Sequence, residues 1–245
     1  MEFHLPHRDS VVILKGDKLY AQTLRQLTLR LLPGSNVRIA TSVARASTLV
    51  RTRRADLLVA GTESSINGNV VDFLAVCSKP PAPARRILVL TTHGETRLLA
   101  ALRSLPIDGL FDAANDNPDN FGVALRAVAA GGHYWSPTLK RRMERNAASL
   151  FRLLTILEQV VLSVVGDGSD DVTAAHELGL SPVTVSTVRR HLHRKLGVQH
   201  RGELVRVAAQ NGFVRFTPTG VVRPGFGMLA AIYRSRRRKA GACTV

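Results

Sequence analysis

Hydroxyl and basic side chains are concentrated in one segment near the C-terminus, residues 182–196. Ser181 followed by Pro182 is typical of a helix start, because serine caps a helix and proline fits its first position without losing a hydrogen bond. Apolar residues at spacings of three and four predict a buried face made of Val185, Val188, Leu192 and Leu196. The other faces then carry Thr184, Ser186, Thr187, Arg190, His191 and Arg194. Such groups bond to base edges and phosphates, so the segment is typical of a helix that enters the major groove of DNA.

The overall charge supports a polyanionic partner. Lys and Arg number 34 against 18 Asp and Glu, a formal net charge of +16, and the sequence pI is about 11.3. Residues 141–245 contain 17 of the basic side chains but only 7 acidic ones. A basic balance that serves only solubility is the alternative, and the uneven distribution favours nucleic acid.

Several classes of protein are disfavoured. No long apolar run or basic leader occurs, so we expect a cytoplasmic protein without a membrane span. Cys77 and Cys243 lie far apart and predict neither a disulfide nor a zinc site, while His191 and His193 point in different directions on a helix. Neither a P-loop nor a dinucleotide fingerprint nor a nucleophile paired with a base is found, so we expect no enzyme, cofactor or metal.

The first 130 residues alternate short β-branched runs with amphipathic segments, which predicts a doubly wound (βα)5 parallel sheet. Strands are predicted at Val11–Lys15, Asn36–Ala40, Ala55–Ala60, Arg86–Thr91 and Ile107–Phe111. Helices are predicted between and after them, at Leu19–Leu32, Ser42–Arg53, Asn67–Cys77, Glu95–Ser104 and Pro118–Ala130.

Four helical stretches follow, at 155–166, 171–178, 182–196 and 201–211. Gly179, Leu180 and Ser181 join the second to the third, which makes a helix-turn-helix. We expect four parts: a receiver-like domain at 1–132, a linker at 133–150, an all-α four-helix domain at 151–214 and a basic extension at 215–245. The extension contains prolines and glycines and ends in the basic run YRSRRRKAGACTV, residues 233–245, which we expect to be poorly ordered alone.

The helical segment resembles the LuxR-type helix-turn-helix of NarL/FixJ-family response regulators. The resemblance rests on Leu154-Thr155, Glu158, Val161-Leu162, Gly168, Ala175, Leu178-Gly179, Ser181, Thr184-Val185, Arg194 to Val198, Arg201 and Glu203-Leu204. It implies that Ser186, Thr187 and Arg190 face bases. It also implies that Thr184, His191, Arg194 and Lys195 hold or flank phosphates. Asp170 to Thr173 depart from the family pattern, and Ser186 and Thr187 replace longer side chains, so the DNA target does not carry over.

The N-terminal domain resembles the receiver of the same family. A receiver needs an aspartate nucleophile, an acidic pair for Mg²⁺, a hydroxyl and a lysine. The corresponding positions here read Gly61 for the nucleophile, Gly16-Asp17 for the acidic pair, Thr91 for the hydroxyl and Ala113 for the lysine. The sequence therefore predicts a degenerate pocket that does not accept phosphate; Asp56 and Glu63 are the alternative acceptors.

The resemblance implies a homodimer on double-stranded DNA. Control by a partner regulator, by RNA polymerase or by a small ligand such as cyclic di-GMP stays open. Relatives that bind this dinucleotide use an arginine near the position of Trp135, where the sequence reads Tyr-Trp-Ser-Pro. An auxiliary subunit that pairs with another transcription factor is the remaining alternative.

Overall fold

The computed structural model describes residues 9–63, 69–79, 81–146, 153–218 and 220–242. It divides into two compact units. The first comprises Met1–Gly94 and Leu102–Arg142, and the second comprises Glu95–Ala101 and Met143–Val245. The predicted combination of an α/β sheet and a helical helix-turn-helix domain is confirmed. The predicted boundaries between domains and linker stay a prediction.

A parallel sheet forms the centre of the first unit, with the strand order β2-β1-β3-β4-β5-β6. The strands are β1 (Ser10–Leu14), β2 (Asn36–Ala40), β3 (Ala55–Gly61), β4 (Ala84–Thr91), β5 (Gly109–Asp112) and β6 (Tyr134–Trp135). Every residue of β1 is buried, as expected for a strand covered on both faces. The first five strands were predicted to within a few residues.

Strand β6 was not predicted, because Tyr134 and Trp135 lie in the segment interpreted as a linker. It pairs with β5 through Gly109↔Tyr134 and Leu110↔Trp135. Two residues are too few to show an alternating pattern. The pairing with β5 continues at Ser136, whose backbone N–H donates to Leu110 O at 2.9 Å.

Six helices lie in the described residues up to 146: α1 (Lys18–Leu31), α2 (Val43–Thr52), α3 (Val70–Cys77), α4 (Thr96–Arg103), α5 (Pro118–Ala129) and α6 (Pro137–Asn146). Most of α4 and the end of α6 belong to the second unit. In the first unit, α1 contacts α5, and α2 contacts α3, so the sheet is covered on two faces as predicted. α3 begins at Val70 behind the cap Asn69; its predicted start, Asn67, lies outside the described residues.

Four helices of the second unit share one apolar core: α7 (Ile156–Val165), α8 (Asp171–Leu178), α9 (Pro182–Leu196) and α10 (Arg201–Gln210). Their ends agree with the predicted signals. Thr155 and Glu158 form a capping box on α7. Gly179 and Gly197 end α8 and α9 in the left-handed region, at φ of 63° and 65°.

The C-terminal extension forms a hairpin of β7 (Arg215–Thr217) and β8 (Gly220–Val222), followed by α11 (Phe226–Ala242). The prediction that the basic run at 233–245 is poorly ordered alone is therefore wrong as far as Ala242, where α11 ends. Phe213, Val214 and Leu229 are buried. These apolar side chains hold the extension in place, and the basic run drew attention away from them in the sequence. Cys243 lies outside the described residues.

The turn of the helix-turn-helix offers a clean test of backbone conformation. A Cβ added at Gly179 or at Gly202 meets no atom within 4 Å, but only Gly179 has a positive φ. We expect Gly179→Ala to lower the free energy of unfolding by about 1 kcal/mol and Gly202→Ala, in the first turn of α10, to raise it by about 0.5 kcal/mol. Urea unfolding followed by circular dichroism measures both changes. Equal effects of the two substitutions would contradict this account.

Candidate nucleic-acid interface and receiver pocket

Helix α9 is anchored by one face and exposed on the other. Val185, Val188 and Leu192 are buried in the core of the second unit, as predicted. Ser181 Oγ accepts the N–H of Thr184 at 3.1 Å and lies 2.8 Å from Thr184 Oγ1. The first turn of the helix therefore has a defined geometry.

The predicted DNA-contacting residues lie on α9 outside its buried face. Thr184, Ser186 and Thr187 are half-buried, whereas Arg190, His191, Arg194 and Lys195 are exposed. Arg190 Nη2 donates to Thr187 Oγ1 at 3.3 Å, so two of the three predicted base readers are in contact. We call the set Thr184, Ser186, Thr187, Arg190, His191 and Arg194 the α9 outer face.

Lys195 has a structural contact that sequence reasoning missed. Its Nζ donates to Glu158 Oε2 at 2.8 Å and to Leu153 O at 3.2 Å. Burial of Glu158 raises its pKa, but bonds from Lys195 and Thr155 outweigh burial and lower the pKa from its ordinary value. Lys195 therefore ties the end of α9 to the start of α7, and a phosphate contact by Lys195 would have to compete with this carboxylate.

A second tie joins α9 to α8. Arg189 Nη2 lies 2.8 Å from Asp171 Oδ1 and donates to Ser169 O at 3.0 Å. This accounts for the two acidic residues at the start of α8, which departed from the family pattern. Asp171 pairs with Arg189 on α9, Asp170 accepts the N–H of Thr173 as the cap of α8, and negative charge is favourable at a helix N-terminus. His193 is also used internally, with Nδ1 3.0 Å from Val198 O.

In the first unit, the residues of the predicted degenerate pocket lie at or just after the carboxyl ends of their strands: Gly61 on β3, Thr91 on β4, Ala113 after β5, and Gly16-Asp17 after β1. Asp17 caps α1, accepting the N–H of Tyr20 at 2.7 Å. Thr91 Oγ1 lies 2.9 Å from Thr62 Oγ1 and donates to His93 O. Both remaining polar residues of the pocket thus have partners within the protein.

An ion pair that sequence reasoning missed lies beside these strand ends. Lys15 Nζ is 2.7 Å from Glu63 Oε2, and Lys15 is only 6% exposed. Thr92 donates to Glu63 Oε1 from its N–H at 2.8 Å and from its hydroxyl at 2.9 Å. Lys15 also lies over the Tyr20 ring, 4.6 Å from the centroid. The charges of this pair are balanced within the protein.

The electrostatics of Glu63 reflect that balance. Burial alone raises its pKa, but hydrogen bonds and charge from Lys15, with bonds from Thr92 and Thr62, lower the pKa to about 2. Both carboxylate oxygens of Glu63 already accept hydrogen bonds, from Lys15, Thr62 and Thr92, and these bonds would have to break before either oxygen could attack a phosphoryl group. Its contacts disfavour Glu63 as the alternative phosphate acceptor.

The carboxyl end of β5 carries a second polar network. Asp116 accepts from Ser136 Oγ at 2.6 Å, Tyr134 Oη at 3.0 Å and Asn120 Nδ2 at 2.9 Å. Burial raises the pKa of Asp116, and these bonds lower it overall. Ser136 Oγ also accepts the N–H of Asp112 at 2.8 Å. The segment around Trp135 thereby closes the edge of the sheet.

Neither metal nor membrane features appear in the part of the chain that the structure describes. It contains no group of three or more His, Cys, Asp or Glu residues placed to hold a metal ion. No helix there is long and apolar enough to cross a membrane.

Comparison with known proteins identifies the helical segment. The family model "Bacterial regulatory proteins, luxR family" matches residues 152–208. These residues form a luxR-family domain. Transcriptional regulatory protein UhpA of Salmonella typhimurium is 33% identical over 117 residues, covering 48% of this chain and 58% of UhpA. Nodulation protein W of Bradyrhizobium diazoefficiens is 33% identical over 127 residues, covering 51% of this chain and 54% of that protein. The chain thus spans little more than half the length of these curated relatives.

Solved structures extend the likeness beyond the luxR-family domain. RcsB from Salmonella enterica serovar Typhimurium, bound to promoter P1flhDC in the presence of phosphomimetic BeF3⁻, has a TM-score of 0.57 at 20% identity. The alignment covers 83% of this chain and 99% of RcsB. At this identity the likeness concerns the fold alone, and it confirms the predicted combination of a receiver-like α/β domain and a helix-turn-helix domain.

The Lys15–Glu63 pair generates a prediction on pH. The pKa of Glu63 is about 2 in the folded protein and about 4.3 in an unfolded chain. The pair therefore stabilises the fold above pH ~4.3, and this stabilisation is lost as the pH falls toward 2. The effect is about 3 kcal/mol. We expect Glu63→Gln to flatten the pH dependence of unfolding in that window. Trp135, the single tryptophan, reports on the first unit by its fluorescence.

The exposed Glu144 provides the control, because Glu144→Gln removes the same charge outside the pocket. Its profile should follow the wild type. Parallel profiles for Glu63→Gln and the wild type between pH 2 and 4.3 would contradict the role of the pair.

Proposed function

We propose that this chain is a sequence-specific DNA-binding transcription regulator that acts as a dimer and without phosphorylation of its receiver-like domain. The α9 outer face carries the proposal, because it presents hydroxyl and guanidinium groups on a helix whose other face is fixed in the luxR-family core. Regulators named among the relatives support it. The net charge of +16 favours the same polyanion.

Two kinds of contact are proposed on that face. Ser186, Thr187 and Arg190 read base edges, since arginine can bind guanine with two hydrogen bonds and a short hydroxyl side chain allows close approach. Thr184, His191 and Arg194 hold or flank phosphates and set the register. We assign Lys195 a smaller part in this binding, because Glu158 already holds its ammonium group.

Phosphorylation independence is proposed from the chemistry of the pocket. Phosphoryl transfer from a small donor needs a carboxylate nucleophile and a divalent cation that neutralises the transferring group. Gly61 offers no nucleophile, Asp17 caps α1, and Glu63 is paired with Lys15. These contacts leave no carboxylate cluster for Mg²⁺ among the described pocket residues.

Dimerisation is proposed from the demands of DNA recognition. One α9 reads only a few base pairs, and a two-fold dimer doubles both the base contacts and the phosphate contacts. One solved structure in the comparison is described as two RcsB dimers bound to two parallel DNAs, a statement about that protein that supports the proposal for this one. Duplex DNA and a second copy of the chain are the partners we propose.

Arg190 provides the central test of specific reading. Arg190→Ala should weaken binding to a site selected from random duplexes by about 1–3 kcal/mol and relax discrimination at one base pair. Arg51→Ala, which removes an exposed arginine from α2 of the first unit, should change neither quantity. Fluorescence anisotropy on the selected duplex and on single-base variants measures both. Equal weakening on every duplex would make Arg190 a phosphate contact.

Phosphorylation independence is tested with acetyl phosphate and Mg²⁺, beside a conventional receiver as positive control. We expect no hydroxylamine-labile phosphate on this chain. Because Gly61 stands at the position of the aspartate that would hold it, beryllofluoride should change neither the DNA affinity nor the dimer mass seen in sedimentation. A labile phosphate, or a dimer formed only with beryllofluoride, would refute this part of the proposal.

A further inference from the structure

Helix α11 lies beyond the residues that match the luxR family, which end at 208, and it has two different halves. Its first half is attached: Leu229 and Ala230 are buried, and α11 contacts α7. Every residue from 234 to 238 in its second half is exposed. Four of those five residues are arginine, namely Arg234, Arg236, Arg237 and Arg238. We call these four side chains the α11 arginine cluster.

Arg223 fixes the start of this extension to the helix-turn-helix. Its guanidinium pairs with the carboxylates of Asp167, before α8, and Glu177, on α8, and it lies 5.6 Å from the Phe226 ring centroid. Burial raises the pKa of Asp167, but bonds from Ser169 and Arg223 lower it overall. Ionic and apolar contacts thus set the orientation of α11 relative to α8 and α9. A flexible tail would instead sample many positions.

Among the described residues, the cluster has no acidic partner. No carboxylate in the described part of the chain lies within ion-pairing distance of its four guanidinium groups. Arg234 is three and four residues from Arg237 and Arg238, spacings at which like charges on a helix repel. Basic side chains at the helix C-terminus are favoured by the helix dipole, and an external polyanion would reduce the repulsion among the four arginines.

We propose that the α11 arginine cluster binds phosphates of the same DNA duplex that α9 reads, as a second, sequence-independent contact outside the luxR-family domain. The inference rests on the proposed DNA-binding function. Two features favour DNA over an anionic membrane or an acidic protein. Residues 234–238 contain no apolar side chain that could enter a bilayer, and Arg223 holds the helix directly on the DNA-reading unit.

The test compares three full-length quadruple variants. The first changes Arg234, Arg236, Arg237 and Arg238 to Gln, and the second changes the same four to Lys, which keeps the charges. The matched control changes the exposed Arg30, Arg51, Arg53 and Arg54 of the first unit to Gln, with the same loss of charge. Affinity for a selected duplex and for a scrambled duplex is measured by anisotropy across a salt series, and circular dichroism checks that each variant is folded.

We expect the α11 Gln variant to reduce the slope of log affinity against log salt by about 3 to 4, since each phosphate contact contributes about 0.9. At about 0.1 M salt it should bind both duplexes at least tenfold more weakly, with their affinity ratio unchanged. The Lys variant and the control should each keep the wild-type slope to within about one contact.

An unchanged slope in the α11 Gln variant, while the wild type still prefers the selected duplex, would overturn this inference and leave the proposed function standing. A wild type that prefers no duplex would refute the proposed function itself. Loss of binding to phosphatidylserine vesicles, with the DNA slope intact, would assign the cluster to a membrane instead. An equal loss of slope in the control would show a general charge effect and would also overturn the inference.

Discussion

The constraint on which the second unit depends is that α9 must be rigid without being buried. A helix that is proposed to read DNA can use only one face for packing, and Val185, Val188 and Leu192 supply that face. Three apolar side chains hold the axis but allow rotation and fraying at the ends. Ion pairs from Arg189 to Asp171 and from Lys195 to Glu158 restrain the helix at its middle and its end. Both pairs are partly shielded from solvent, so salt screens them less than fully exposed pairs.

The first unit also contains charged groups that need partners, and it pairs them inside the protein. The carboxyl ends of parallel strands gather polar groups, and in a conventional receiver a metal ion and a phosphoryl group complete the charge balance. Here Lys15 and Glu63 complete it at 2.7 Å. A pocket whose charges are balanced by the protein's own side chains does not need a bound ligand to be stable. We therefore regard the domain as a scaffold whose proposed role is association.

Periodicity and end signals were sufficient to predict most of the fold. Strands such as β2 and helices such as α9 were predicted with their observed ends, because β-branched runs and cap residues act locally. Strand β6 was missed since its two residues gain their conformation from pairing with β5. Helix α11 was missed because its basic run masks the buried Leu229, and burial is decided by the rest of the unit.

The candidate sites show the same division. The α9 outer face could be predicted, because helical periodicity separates buried from exposed positions on one element. Lys15 and Glu63 are 48 residues apart, and Arg189 meets residues some 20 positions away. Such partners depend on how strands and helices are arranged in space, and sequence spacing carries no signal for them without related sequences. The resemblance implied that Lys195 holds or flanks a phosphate, which stays a prediction, and its carboxylate partner Glu158 lies on another helix.

The use of carboxylates connects these observations to the charge of the molecule. Between residues 153 and 242 there are six acidic side chains: Glu158, Asp167, Asp170, Asp171, Glu177 and Glu203. Four of them form ion pairs with Lys195, Arg223 or Arg189, and the other two cap helices through backbone N–H groups. The acidic groups thus neutralise the cations that hold the helices together. The cations outside these pairs include Arg190 and Arg194 of the α9 outer face and the four side chains of the α11 arginine cluster, and all six are exposed. The contacts that stabilise the fold of this unit therefore leave positive charge on the surfaces where we propose that DNA binds.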